Sequence, residues 1–154
     1  RTPFDTEFIG NVGIAPRSSG ANGDYQLLFT FPNAVTFSTA ALTSGTGSVS
    51  STAGGGTTNV TVNLSGVTNA QRITLSLLGA SDGTFTNDLA AQMGVLVGDT
   101  TGNGSVNASD IGQTRANSGQ TADASNFRTD VNVSGSISAA DIALVRAKSG
   151  TALP

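Results

Sequence analysis

A tandem repeat at an offset of 31 residues constrains this chain more than any other feature. The run DTTGNGSVNASDI at 99–111 aligns with DVNVSGSISAADI at 130–142, matching Asp99 to Asp130, Gly104 to Gly135, Ser105 to Ser136, Asp110 to Asp141 and Ile111 to Ile142. The match continues beyond the run, where Arg115-Ala116 faces Arg146-Ala147 and Ser118-Gly119 faces Ser149-Gly150. A fixed internal period means one structural unit used twice. Each unit reads as a polar loop followed by a helix of roughly nine residues, stopped by a glycine suited to the left-handed position past a helix end. Between the copies, 123–127 is expected to form another short helical turn.

The loops have the oxygen spacing that a hard cation needs. Calcium takes six to eight oxygen ligands, and a twelve-residue loop supplies them from its first, third, fifth, seventh, ninth and twelfth positions. In the first copy Asp99, Thr101 and Asn103 offer side-chain oxygens, Ser105 its backbone carbonyl, Asn107 a direct or water-mediated ligand, and Asp110 closes the ring. In the second copy the same roles fall to Asp130, Asn132, Ser134, Ser136, Ser138 and Asp141. Gly104 and Gly135 sit at the sixth position, where a sharp turn with positive φ is needed. Val106 and Ile137 hold the eighth position, where paired loops place an apolar residue that bridges them and enters a small core. Two calcium ions are therefore expected. With two carboxylates per loop, affinity should be modest, in the roughly 10⁻⁴ to 10⁻³ M range of extracellular modules.

The closing ligand is Asp, and an apolar run at 93–97 stands where the first copy would have an entering helix. A loop ending in Asp, a following helix, and a second copy about thirty residues on resemble the dockerin type I module, in the pattern GDTTGNGSVNASDI. The resemblance covers 98 to about 150. It implies a protein partner, since dockerins bind cohesins, which are β-sandwich modules on scaffold proteins, through positions early and late in each helix. Those positions hold Ala108, Ser109, Arg115 and Ala116 in the first copy and Ala139, Ala140, Arg146 and Ala147 in the second.

Before the repeat, short alternating runs separated by Gly, Ser, Asn and Asp are the pattern of an all-β sandwich. The clearest strand is 25–31, with Tyr25, Leu27, Phe29 and Phe31 on one face and Pro32-Asn33 as the turn that ends it. Further strands are expected at 4–9, 35–42, 47–51, 59–64, 72–78 and 90–97, with Val60, Val62 and Leu64 inward on one and Ile73, Leu75 and Leu77 on the next. About seven strands in fewer than a hundred residues is the immunoglobulin-like size class. The three glycines Gly54 to Gly56 make 53–58 a loop too flexible to hold a catalytic constellation unaided. The fold class is thus a mainly β N-terminal immunoglobulin-like sandwich, 1–97, plus a small α calcium-loop dockerin-like domain, 98–154. The runs FDTEFIGNVGIAPRSSGANGDYQLLFTF, VTNAQRITLSL and MGVLVGD also resemble the sandwich modules that precede dockerin-like repeats at the C-termini of large secreted bacterial proteins.

Composition narrows the function. Charged residues are 11% of the chain against the roughly 25% of an ordinary soluble domain, and Ser, Thr, Gly and Asn fill the gap. A net charge of −3 with no Lys/Arg cluster argues against nucleic acid. No apolar run approaches the roughly 18 residues that span a bilayer, and the start at Arg1 reads as that of a processed fragment or mature C-terminal region. With no His and no Cys, histidine bases, Ser-His-Asp chemistry and thiolate sites are excluded. Asp5 and Glu7 form the one paired-carboxylate arrangement in the sandwich worth weighing, and they read as a solvated strand face; Asp24, Asp82 and Asp88 read as turn residues. The expectation is a non-catalytic extracellular or cell-surface protein serving assembly, its partner either a cohesin-like β-sandwich or another copy of itself joined head-to-tail into a filament. The runner-up is a conventional dockerin that attaches a larger secreted enzyme to a cohesin scaffold. A carbohydrate-binding module is a third reading, weakened by the absence of Trp.

Overall fold

The structure is a computed structural model and describes residues 13–154. The expected strand at 4–9, with Asp5 and Glu7, lies outside the described residues. Among the described residues seven strands precede two α-helices: β1 Gly13–Ala15, β2 Tyr25–Val35, β3 Thr39–Ser44, β4 Ser48–Ala53, β5 Thr57–Ser65, β6 Gln71–Ser81, β7 Thr86–Val95, α1 Ala108–Ala116 and α2 Ala139–Lys148. They form a three-stranded sheet in the order β2-β5-β4 and a four-stranded sheet in the order β1-β7-β6-β3. This is the strand order of an immunoglobulin-like sandwich, with β2, β5 and β4 in the places of strands B, E and D, and β7, β6 and β3 in those of G, F and C.

The alternation that marks the strands also builds their core. Val60, Val62 and Leu64 of β5 and Ile73, Leu75 and Leu77 of β6 are all buried, as is Leu27 of β2. Each such side chain stabilises the fold by ~1.5–3 kcal/mol relative to an exposed one. On β2 the even-numbered residues Gln26, Leu28 and Thr30 face outward. That strand does not end at Pro32-Asn33. It runs on to Val35 through an irregular register between Thr30 and Val35, and it tolerates Pro32 because, among the described residues, β2 is the edge strand of its sheet, with no second neighbour asking for its N–H. The strand expected at 35–42 is correspondingly split, and β3 starts only at Thr39. The glycine run is a tight turn: the Gly56 N–H donates to Val35 O at 2.8 Å and the Thr57 hydroxyl to Gly54 O at 2.8 Å. Gly54 has φ +84°, and a Cβ there would collide with the Asn59 carbonyl. Asp88 is no turn residue; it lies on β7, where its carboxylate takes the Gly79 N–H at 2.8 Å.

The described chain groups into two compact units. One contains Ser19–Thr68 and Ile73–Gln92; the other contains 13–18, Asn69–Arg72 and Met93–Pro154. The second unit thus holds the whole of 98–154 together with the end of β7 and two earlier segments. The two earlier segments are held by backbone bonds and by part-buried side-chain bonds that short sequence patterns do not reveal.

Inside that unit, Ile14, Leu96, Val97, Val106, Val131 and Val145 form one buried cluster, with Ala70, Ile111, Leu144 and Leu153 packed against it. Asn69 Oδ1 accepts the Val97 N–H at 2.7 Å. The helices are short and only weakly amphipathic, so their ends matter. Asn107 and Ser138 are their N-caps, accepting from the Ser109 and Ala140 N–H groups, and Asp110 and Asp141 return bonds to the cap N–H to complete a capping box. After the helices Gly119 and Gly150 adopt φ +89° and +90°, the left-handed conformation expected of them. The turn between the repeats ends in a 3-10 segment at Phe127–Thr129, slightly later than 123–127.

Candidate calcium loops

Asp99 follows the buried stretch Val95-Leu96-Val97 and is itself fully buried. Its carboxylate is ringed by its own loop: the Gly102 and Asn103 N–H groups donate to Oδ1 at 2.8 and 3.1 Å, and the Gly104 N–H donates to Oδ2 at 2.8 Å. Eleven residues on, Asp110 is equally buried. Its Oδ2 takes the Asn107 N–H at 2.8 Å, while Oδ1 turns into the loop and takes the Thr101 N–H and hydroxyl at 3.0 and 2.9 Å. The Thr101 hydroxyl also lies 3.4 Å from Asp99 Oδ1, so it stands between the two carboxylates. At the N-terminus of α1 the negative Asp110 also meets the positive end of the helix dipole.

The second loop repeats this pattern at the same offset. Asp130 and Asp141 are fully buried. Asp130 Oδ1 takes the Ser134 N–H at 2.9 Å and Oδ2 the Gly135 N–H at 3.0 Å; Asp141 Oδ2 takes the Ser138 N–H at 2.9 Å and Oδ1 the Asn132 N–H at 3.1 Å. Gly104 and Gly135 have φ +84° and +87°. One position breaks the match: the fourth loop residue is Gly102 at φ +76° in the first copy but Val133 at φ +61° in the second. A β-branched residue there carries steric strain.

Val106 and Ile137 are both buried, and their backbone bonds cross between repeats. Val106 donates to Thr151 O at 2.8 Å and accepts from the Gly150 N–H at 2.9 Å; Ile137 donates to Gln120 O at 2.9 Å and accepts from the Gly119 N–H at 2.8 Å. Each loop is thus bridged to the other repeat through the segment that follows that repeat's helix.

Residues 97–148 match the dockerin type I domain. No curated protein and no solved structure matches the chain. Dockerin type I domains bind calcium and act as non-catalytic protein-attachment modules, and they occur in secreted and cell-surface proteins. No helix among the described residues is long and apolar enough to cross a membrane.

The matched segment offers a cation only oxygen. Among the described residues no three His, Cys, Asp or Glu side chains come together, so each loop combines two carboxylates with neutral hydroxyl, amide and carbonyl groups. Such a set suits calcium and does not suit zinc or copper. Asn103 Oδ1 is turned to the Ser105 N–H and hydroxyl, both at 2.9 Å, and Ser136 O receives the Ser134 hydroxyl at 2.9 Å. Asn132 Oδ1 accepts the Ser134 N–H at 3.0 Å. The ninth-position oxygens of Asn107 and Ser138 are committed to the helix caps. The eight dockerin positions named for partner binding, Ala108, Ser109, Arg115, Ala116, Ala139, Ala140, Arg146 and Ala147, are all exposed.

Two arginines beside the loops escape any reading of the repeat. Arg128 donates from Nε to Thr100 O at 2.8 Å, from Nη2 to Asp99 O at 2.9 Å and from Nη1 to Ile14 O at 3.1 Å. Burial lowers its pKa, and the Asp99 and Asp110 carboxylates pull it back up. Arg17 donates from Nε to Asp130 O at 3.3 Å and pairs with Asp130 Oδ2 at 3.5 Å. The backbone carbonyl of each loop's first aspartate thus accepts from a guanidinium.

Proposed function

We propose that this chain is a non-catalytic extracellular calcium-binding protein that serves attachment and assembly, holding one calcium ion in each dockerin loop. Asp99, Thr101, Asn103, Ser105, Asn107 and Asp110 are the first ligand set, and Asp130, Asn132, Ser134, Ser136, Ser138 and Asp141 the second. The calcium module is the 98–154 part of the chain, following a sandwich module in 1–97. One observation carries this reading: two buried aspartate pairs, 31 residues apart, each curled within its own ring of N–H donors. A buried carboxylate pair is costly unless something offsets its charge, and a divalent cation between the two would do so.

The test is a calorimetric titration of calcium into the metal-stripped chain. Two sites with dissociation constants of roughly 10⁻⁴ to 10⁻³ M are expected, and Asp110→Asn and Asp141→Asn should each remove one. A chain that takes up no calcium, or whose melting is indifferent to chelator, would end the proposal. Saturation at a hundredfold excess over the dissociation constant should add ~2.7 kcal/mol per site.

The partner is a protein, either a cohesin-like β-sandwich or the sandwich of another copy. The eight exposed helix positions support a protein-facing surface, and a sandwich and a dockerin on one chain bring both kinds of surface together, so that head-to-tail contact would propagate a filament. Sedimentation with and without calcium at high protein concentration tests this: calcium-dependent growth supports self-assembly, while a calcium-loaded monomer leaves attachment to a separate cohesin-like partner.

A further inference from the structure

Residues 13–18 reach both loops. β1 pairs in parallel with the end of β7, Gly13 to Met93 and Ala15 to Val95. The pairing continues as Leu96 N–H donates to Ala15 O at 3.1 Å and Gly98 N–H to Pro16 O at 2.8 Å, so the segment runs beside the stretch that enters Asp99. Ile14 lies in the buried cluster, and its carbonyl takes the Arg128 guanidinium that also holds the first loop. At the other end the Ser18 N–H donates to Val131 O at 2.6 Å, and Arg17 meets Asp130. Among the described residues, Asp130 is the one loop aspartate in an ion pair; its side chain is 1% exposed and that of Arg17 is 19% exposed.

We propose that Arg17 makes the two loops unequal: it stands in as a counter-charge that keeps the second loop closed before a cation arrives, and so sets that loop's calcium affinity below that of the first. This rests on the calcium reading above. Arg17 touches the Asp130 carboxylate itself, whereas Arg128 hydrogen-bonds only backbone carbonyls of the first loop and meets the Asp99 and Asp110 carboxylates through charge alone. Both arginines repel an entering cation, but Arg17 does so from within reach of a ligand oxygen. For charges of +1 and +2 about 6 Å apart, even water-like screening leaves an effect of about tenfold in affinity. Loss of the 3.3 Å bond to Asp130 O works in the opposite direction and is smaller, because it is long and partly exposed.

The experiment uses the full chain, with Asp110→Asn to silence the first loop and Asp141→Asn to silence the second. Calorimetry of these two should show the first loop binding calcium more tightly than the second; equal or reversed affinities would overturn the proposal. In the Asp110→Asn background, Arg17→Gln should tighten calcium binding about tenfold while lowering the melting temperature in chelator. Arg17→Lys, which keeps the charge, should stay near the parent in affinity. An arginine serving only to brace the fold would lower both readings together, so unchanged or weaker calcium binding in Arg17→Gln overturns the proposal. If neither loop binds calcium in any variant, the calcium reading has failed first. If calcium binds but Arg17 leaves it unmoved, only this inference falls.

Discussion

Replacing Arg128 by Met keeps most of the side chain's bulk and removes all five donors. The guanidinium makes three hydrogen bonds of 2.8 to 3.1 Å to the carbonyls of Thr100, Asp99 and Ile14. Bonds to a charged group contribute ~1.5–3 kcal/mol each, giving a gross ~4.5–9 kcal/mol. Holding the long side chain in one geometry costs about 2 kcal/mol, and burial of the charge, which lowers its pKa, removes another few kcal/mol. A net loss of ~3 kcal/mol is expected for Arg128→Met. In a domain of 60–100 residues each kcal/mol moves the midpoint by about 4–8 °C, so thermal unfolding in saturating calcium should fall by roughly 12–24 °C. Arg128→Lys should recover only part of this, because an ammonium cannot fork to three carbonyls. Arg115→Met, on the exposed face of α1, should stay within about 0.5 kcal/mol. A loss below ~0.5 kcal/mol for Arg128→Met would refute the idea that this side chain ties the segment 13–18 to the first loop.

The fourth loop position offers a reciprocal swap. Val133→Gly removes ~1–2 kcal/mol of left-handed strain, offset by the ~0.5–1 kcal/mol of backbone entropy that Gly loses on folding, for a net gain of about 0.5–1 kcal/mol. Gly102→Val creates the strain and brings a Cβ 3.2 Å from Arg128 Nη2, so melts of the two variants should move in opposite directions, and shifts of the same sign would remove the strain argument. Asp123 tests pH: the Ser125 hydroxyl, then the Ser125 and Asn126 N–H groups, hold its carboxyl below the ordinary value of 3.8. Because the folded value is the lower one, the stabilisation is complete above pH 3.8 and is lost as pH falls through the folded value. Acid unfolding of Asp123→Asn in chelator should therefore show a shallower dependence below that pH than the parent chain, and identical slopes would contradict the assignment.

How far the sequence reveals this architecture depends on the reach of the interactions. The loops are legible because the side-chain bonds that close them span two to ten residues: Asp99 to Gly104, Asn107 to Asp110, Thr101 to Asp110. Local bonds demand particular residue types at fixed offsets, and a second copy shows that the offsets are not chance. The strands are legible where one face is buried and the other wet, as in β5 and β6. Edge strands are less so. Pro32 looks like a stop because its missing N–H would break a central strand, and only the sheet order shows that no neighbour among the described residues needs it. β1 has three residues and too short an alternation to notice, and the bonds of Arg17 and Arg128 to their carbonyl partners span up to 114 residues. Nothing local marks an arginine whose acceptors are backbone atoms elsewhere in the chain.

The same distinction explains why the loop aspartates can be polar and still buried. Asp110 and Asp141 each serve two ends of one arrangement, with Oδ2 finishing a capping box and Oδ1 drawing in the third loop residue. The geometry that closes the ring is therefore also the geometry that starts the helix. On the calcium reading, an ion arriving at either ring does not have to build it; the N–H donors already orient the carboxylates, and the ion offsets their charge. Such a device has little binding energy to spare, since two carboxylates per ring attract a cation less strongly than four or five. It would respond across millimolar rather than micromolar calcium, where changes in occupancy alter the stability of the helices that carry the exposed Arg115 and Arg146.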